Sequence, residues 1–451
     1  MAHQFGEQGG MASTVDTKRY WIWTVGCQMN KVDSDRVAET MRARGYLPAE
    51  REEDADIVVL NSCAVRESAE RRVSGKLGNL QQLKQDRPET LLVLTGCSVS
   101  PDFEATRKRF KGADIYFQPT RLDQFTEALD KVWPVPSDPG VMACWQEQTG
   151  DTDEQGPCAY VPISNGCDKF CTYCIVPYRR GREKSRPVFD IVEECGSLVK
   201  RGVKEVTLVG QRVNAYGRDF KDGTDLADLL RLINDIPDLV RLRFLTSYPK
   251  DMSDKLIETV AGLDKVCEHI HLPVQSGSNA VLENMRRGYT REDYLDLARR
   301  IRQAAPTLAL STDIIVGFPG ETEDQYAETL SLLEEVRFST VYVAAYSPRP
   351  GTLAYRWEDD VPKDVKKERL QRLDALQQRI SMEQHQTLKH QVTEVLIDSA
   401  QSERKDLPQW RGRTRQNRLV FLPRADEDLL GQIVSVRIGK VSAFAMQGAV
   451  A

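Results

Sequence analysis

Residues 163–182 read ISNGCDKFCTYCIVPYRRGR, in which Cys167, Cys171 and Cys174 form a C-x3-C-x2-C pattern. The segment continues from AYVPIS (159–164), an apolar run of strand type, so the cysteines lie in the loop beyond a strand end. Thiolates are soft ligands suited to iron–sulfur clusters and to zinc. A four-iron cubane has four corners, and three local cysteines fill three of them. One iron then stays open to a ligand bound through nitrogen and oxygen. A structural zinc site is the alternative reading. Such sites close with four ligands, and no fourth His or Cys lies nearby, since Cys158 precedes the strand.

Downstream the same strand texture recurs in EVTLVG (205–210), RLRFLTS (241–247), HIHLPV (269–274), STDIIVG (311–317) and TVYVAAYS (340–347). Helical patterns such as DLADLLRLINDI (225–236) and REDYLDLARRIRQAA (291–305) separate these runs. About six βα repeats fit a full or partial α/β barrel. The amphipathic stretch VKKERLQRLDALQQRISMEQHQ (365–386) closes it. Upstream, WIWTVG (21–26), DADIVVLNS (54–62) and TLLVLTG (90–96) alternate with helical patterns, which predicts an open parallel α/β sheet. Downstream, TEVLIDSA (393–400), RLVFLP (418–423) and QIVSVRIGKVSAFAMQGAV (432–450) are short β segments of a small barrel. The expected fold class is α/β with three domains: an N-terminal α/β domain (18–133), a central partial (β/α)6 barrel (158–385) and a C-terminal β domain (386–449). The Pro-, Gly- and acid-rich stretch 134–157 reads as the linker.

A hydrophobic share of 40% and a charged share of 29% place the chain among ordinary globular proteins. No apolar run approaches the roughly 20 residues that span a bilayer. The lead-in MAHQFGEQGGMASTVDTKRY has no apolar core, so it is not a secretory signal, and Met11 is a candidate alternative start. A cytoplasmic location is expected, where clustered cysteines serve as metal ligands rather than disulfides. The net charge of −5 does not mark a nucleic-acid binder by itself. Two local basic runs do offer phosphate contacts: Arg179, Arg180, Arg182, Lys184 and Arg186 beside the cysteine loop, and Arg411, Arg413, Arg415 and Arg418 in the tail. A plain solvated face is the alternative for each.

Cys27, Cys63 and Cys97 share a context: each follows an apolar run and a Gly or Ser. In an open parallel sheet the strand C-termini lie on one edge, where ligands bind. The three therefore make a second candidate ligand set, against the alternative of three core cysteines. Gly26 and Gly96 permit a tight turn just before the ligand position. Cys144, Cys158, Cys195 and Cys267 lack this context and read as structural, as do His269 and His271. Gln211, Gln275 and the turn VGFPGE (316–321) fall at strand ends on the barrel face that carries the cysteine loop.

The ordered set TVGCQMNKVDSD (24–35), LNSCAVRESAE (60–70), VLTGCSV (93–99), GCDKFCTYCIVPYRRGREKSRP (166–187), HLPVQSGSNAVLENMRRGYTRE (271–292), STDIIVGFPGETE (311–323) and YSPRPGT (346–352) resembles the radical-SAM methylthiotransferase family. RGRTRQNRLVFLP (411–423) resembles its small RNA-binding TRAM barrel. The resemblance implies two 4Fe-4S clusters, on Cys167, Cys171 and Cys174 and on Cys27, Cys63 and Cys97, with S-adenosylmethionine (SAM) on the open iron of the first. It implies SAM contacts from Tyr173, Gln211, Gln275, Ile315 and Gly317, and RNA contacts from the two arginine runs. The implied activity is methylthiolation of carbon 2 of N(6)-dimethylallyladenosine beside the tRNA anticodon. TVGCQMN and GRTRQNR favour that substrate over threonylcarbamoyladenosine or a ribosomal-protein aspartate. An RNA-binding redox sensor is the alternative of a different class. Implied partners are tRNA, a sulfur source and an electron donor such as flavodoxin or ferredoxin, with no membrane and a monomeric chain. Arg212 stands where the family usually has Asn, and Tyr248 where it often has His.

Overall fold

The computed structural model describes residues 17–64, 67–134, 156–401, 409–423 and 427–451. The lead-in and nearly all of the linker, Cys144 included, lie outside the described residues. The chain divides into two compact units: one holds the N-terminal sheet, and the other holds everything described from residue 156 onward together with residues 27–32, 64 and 67.

The N-terminal sheet contains β1 (Arg19–Thr24), β2 (Leu47–Pro48), β3 (Ile57–Ser62), β4 (Leu91–Gly96) and β5 (Ile115–Tyr116), all parallel, in the order β2-β1-β3-β4-β5. Four helices accompany it: α1 (Gln28–Arg42), α2 (Glu67–Asp86), α3 (Phe103–Arg109) and α4 (Leu122–Val132). Strand side chains alternate between the two faces. Ile57, Val59, Leu91 and Val93 pack with Val37 and Met41 of α1 and with Phe125 and Leu129 of α4. Val58, Leu60, Leu92 and Leu94 pack with Val73 and Leu77 of α2 on the opposite face. Burial on both sides is why these strands read as unbroken apolar runs.

The second unit begins with six parallel strands: β6 (Cys158–Pro162), β9 (Glu205–Val209), β10 (Arg241–Phe244), β11 (His269–His271), β12 (Ala309–Val316) and β13 (Thr340–Ala345). A parallel bridge from Leu242 to Val266 links β10 to the run entering β11. The short pair β7 (Ser164–Asn165) and β8 (Lys184–Ser185) is antiparallel and closes the base of the cysteine loop. Within that loop lies α5 (Val176–Arg180). Around the strands run α6 (Val188–Lys200), α7 (Leu226–Asn234), α8 (Asp254–Gly262), α9 (Asn279–Asn284), α10 (Arg291–Ala304), α11 (Glu323–Val336) and α12 (Lys363–Gln386). One continuous core joins them, with Leu208, Leu242 and Ile314 meeting Leu230, Leu297 and Leu373. Capping boxes at Asp225/Asp228, Thr290/Asp293 and Thr322/Gln325 fix the starts of α7, α10 and α11.

The tail forms a closed barrel of β14 (Val392–Gln401), β15 (Gln409–Arg413), β16 (Leu419–Pro423), β17 (Ile433–Val441) and β18 (Met446–Val450) around Val395, Trp410, Val420 and Ile438. It docks where β9, β10 and β11 begin. Arg241 and Arg243 of β10 are buried, and they donate to the carbonyls of Arg413, Thr414 and Arg415 in the β15–β16 turn at 2.7–2.8 Å. Leu242 and Phe244, on the other side of the same strand, face the helices. The strand pattern RLRF therefore serves two contacts at once.

Candidate functional site

The cysteine loop leaves the C-terminal end of β6, opposite the end where the tail barrel docks. Gly166 has φ +79, and a Cβ there would stand 2.1 Å from the Arg182 carbonyl, so only glycine fits. Main-chain bonds from Cys167 to Gly181 (3.1 Å), Thr172 to Met285 (3.2 Å) and Ala354 to Thr172 (2.8 Å) tie the loop to its surroundings. Cys167 and Cys171 are buried and Cys174 is half-buried. Burial pushes the Cys167 thiol up and the Cys174 thiol up to about 12, and neighbouring thiols add to both shifts. Without a metal's positive charge these groups hold their protons. Among the described residues no three His, Cys, Asp or Glu side chains are gathered to grip one metal ion. A cubane spreads its thiolates over separate irons, and a loop with three thiols suits that donor set better than a single ion.

Tyr173 and Ile315, far apart in sequence, pack against one apolar group of Val281, Met285, Phe318, Tyr346 and Ala354. The rings of Tyr173 and Phe318 meet edge to face at 6.4 Å. Gln275 holds φ +79, receives the Ile315 amide at 2.9 Å and is buried. Gly317 has φ +66, and a Cβ there would meet the Lys366 side chain at 2.3 Å. Its amide donates to Glu321, whose carboxylate also pairs with Arg369 at 2.8 Å. That amide thus has an internal partner. Gln211 lies just past β9, and its buried side-chain oxygen has no partner among the described residues. The Ser247 hydroxyl, past β10, is likewise buried and unpartnered. Orphaned buried polar atoms call for a polar ligand, and an apolar wall of this kind suits a flat ring.

Sequence reasoning missed Ser247 and Arg287. The only signal for Arg287 was its place in NMRRGYT. Its guanidinium lies 3.4 Å from both Cys171 Sγ and Tyr173 Oη. The two departures from the family pattern also come to this region. Tyr248 donates to the Arg287 carbonyl and carries Lys169 Nζ 4.8 Å from its ring centre. Arg212 is buried between Glu183 (3.2 Å) and Asp251 (3.1 Å), and Arg218 also pairs with Asp251, a four-charge network with a structural role.

Cys27, Cys63 and Cys97 each follow the C-terminal end of a strand, β1, β3 and β4, which are neighbours in the sheet. The chain runs outward from β1 to β2 and then returns to β3, so the switch point of the sheet lies between β1 and β3. In open α/β sheets ligands bind there, outside the strand C-termini. Gly96 has φ +99, and a Cβ would stand 2.1 Å from the Ser62 carbonyl oxygen. Ser62 donates to Thr95 O (2.8 Å) and Thr95 to Phe117 O (3.0 Å), which stiffens the strand ends.

The basic runs behave unevenly. Arg182 is 77% exposed and bonded to Asp168. Arg180 is buried and donates to Asn165 at 3.3 Å, which commits it to the loop. Arg415 is half-buried, and its guanidinium donates to Glu268 and to two main-chain carbonyls at the docking face, so its charge is met internally. Arg411 and Arg413 are partly exposed and paired with Asp398 at 2.8 and 3.5 Å. Arg179 and Arg418 are half-buried. His269 and His271 both bond Ser311 at 3.0 Å, as structural histidines do.

Residues 161–333 match the model of the radical SAM superfamily, and residues 19–118 match that of the uncharacterized protein family UPF0004. The tRNA-2-methylthio-N(6)-dimethylallyladenosine synthase of Acetivibrio thermocellus is 43% identical over 441 residues, spanning 96% of this chain and 91% of that protein. The protein of the same name from Chloroflexus aurantiacus is 45% identical over 436 residues (96% and 91%). That from Moorella thermoacetica is 42% identical over 440 residues (96% and 98%). The solved radical S-adenosylmethionine methyltransferase TsrM of Kitasatospora setae shares the fold at a TM-score of 0.52, with 15% identity over 75% of this chain and 77% of that one.

Proposed function

Since the chain belongs to the family of the tRNA-2-methylthio-N(6)-dimethylallyladenosine synthases, we propose that it methylthiolates carbon 2 of N(6)-dimethylallyladenosine beside the anticodon of tRNA. One observation carries this reading beyond the family name: three thiols of one anchored loop stand beside a wall holding Tyr173 and Ile315. We assign a 4Fe-4S cluster with an open iron for SAM to Cys167, Cys171 and Cys174, and a second cluster to Cys27, Cys63 and Cys97. When bound, the first cluster and SAM supply a 5′-deoxyadenosyl radical for an inert aryl C–H bond, and the second offers the incoming sulfur a soft metal site.

The chain's own residues bind and orient. Tyr173 and Ile315 give an adenine ring an apolar face. The Gln211 side-chain oxygen and the Ser247 hydroxyl offer hydrogen bonds to amino, carboxylate or ribose groups. Arg179, Arg182, Arg411, Arg413 and Arg418 remain candidates for phosphate contact.

The same reading calls for an electron donor such as flavodoxin or ferredoxin, a sulfur source, a monomeric chain and a cytoplasmic setting. Among the described residues no helix is long and apolar enough to cross a membrane. We read the domains as 18–133, 158–385 and 386–449. Two measurements test the proposal. Nucleoside analysis of tRNA from a deletion strain should show dimethylallyladenosine without its 2-methylthio form; persistence of the 2-methylthio form overturns the substrate. Anaerobic reconstitution should give about eight irons per chain; about four removes the second cluster.

A further inference from the structure

We propose that Arg287 is a positioning residue for the first cluster: a buried cation whose hydrogen bond to the Cys171 sulfur makes that cluster easier to reduce. This rests on the cluster assignment above. Arg287 is 6% exposed, and every direction of its guanidinium is fixed. Nε donates to Tyr289 Oη (2.9 Å) and Nη2 to Pro273 O (2.8 Å), while Nη1 reaches Cys171 Sγ and Tyr173 Oη, both at 3.4 Å. The rings of Tyr248 and Tyr289 flank it, 4.9 and 5.4 Å from the guanidinium carbon.

The charge balance is the second observation. Four other deeply buried arginines of this unit have carboxylates: Arg212 has Asp251, Arg243 has Glu205, Arg241 has Glu394 and Arg369 has Glu321. Arg287 forms no ion pair with any described residue; its partners are phenols, a carbonyl and a thiol. A buried cation is costly unless a negative charge meets it. A thiolate-ligated cluster supplies that charge, and gains another unit of it on taking up an electron. A fixed donor to the ligand sulfur stabilises the more negative state, and so raises the reduction potential. Tyr173, which shares Nη1, is thereby fixed in the same step.

The test uses full-length protein carrying Cys27→Ala, Cys63→Ala and Cys97→Ala, so that one cluster reports. Its midpoint potential is followed by electron paramagnetic resonance, with dithionite as the electron source. Arg287→Gln, loaded with about four irons, should show a reduction equilibrium lowered about tenfold, ~59 mV for one electron. Arg287→Lys should shift in the same direction by less. A loaded Gln variant with the parent potential overturns the proposal. If only the Lys variant loads, its shift decides in the same way. Two variants that keep their circular dichroism but hold no iron also overturn it, since Arg287 would then only prop the loop. Failure of the parent to take up iron counts against the cluster assignment instead.

Discussion

Replacing Arg415 by methionine separates a structural role from an RNA-binding one. The guanidinium donates to both Glu268 oxygens at 2.8–3.0 Å and to Asp264 O (2.9 Å) and Val266 O (2.8 Å). The two side chains are 23% and 27% exposed, so the pair is largely shielded. Breaking a fully buried pair costs about 3–5 kcal/mol, and an exposed one contributes about 1 kcal/mol or less. Partial exposure places this loss at about 2–3 kcal/mol. The variant should therefore open the β15–β16 turn locally. Hydrogen exchange at Thr414 and Asn417 should speed up roughly thirty- to hundredfold, at a tenfold factor per ~1.4 kcal/mol. Adding Glu268→Leu should recover part of the protection, because the stranded carboxylate is removed. The salt dependence of tRNA binding should keep its slope. Unchanged exchange, with a slope reduced by the roughly 0.7–0.9 of one phosphate contact, would refute the docking role and restore Arg415 to the RNA face.

The same pair sets a pH dependence. Burial pushes the Glu268 carboxyl up, but the hydrogen bonds and charge of Arg415 outweigh it and hold the group below its usual range. Its contribution is complete above the unfolded value of about 4.3 and is lost as pH falls through the folded value; turn protection that does not fall in acid argues against the pair. Arg212→Asn, although it restores the residue common in the family, should destabilise by ~3 kcal/mol chiefly by stranding the buried Glu183 carboxylate, since Asp251 keeps Arg218, and Glu183→Gln should rescue part of it; denaturation of the two variants checks this. Gly96→Ala should prevent loading of the second cluster while leaving about four irons on the first, read by iron analysis. Gln211→Ala should weaken SAM binding about five- to tenfold in calorimetry of the reconstituted protein, as for one lost hydrogen bond; unchanged affinity would remove Gln211 from the site.

The first cysteine loop was legible because its thiols are local: three within one loop need no tertiary contact to be seen. The strand-end cysteines were legible through a repeated context, but the order β2-β1-β3 that places a switch point beside Cys27 and Cys63 was not. Gln211 and Gln275 were read as residues at strand ends, and Ile315, inside a strand, came only from the family resemblance. Ser247 and Arg287 were not found, since their significance lies in burial and in missing partners.

By itself the sequence determined the alternation of strand and helix, the two cysteine sets and the β character of the tail, because periodicity and ligand chemistry are properties of short segments. Tertiary structure decided which charges face water and which are internal. It buried Arg180 against Asn165 and committed the half-buried Arg415 to Glu268. It aimed Arg287 at Cys171 across more than a hundred residues of chain. An arginine reads the same in sequence whether it meets a phosphate, a carboxylate or a thiolate; only the surrounding packing fixes its partner.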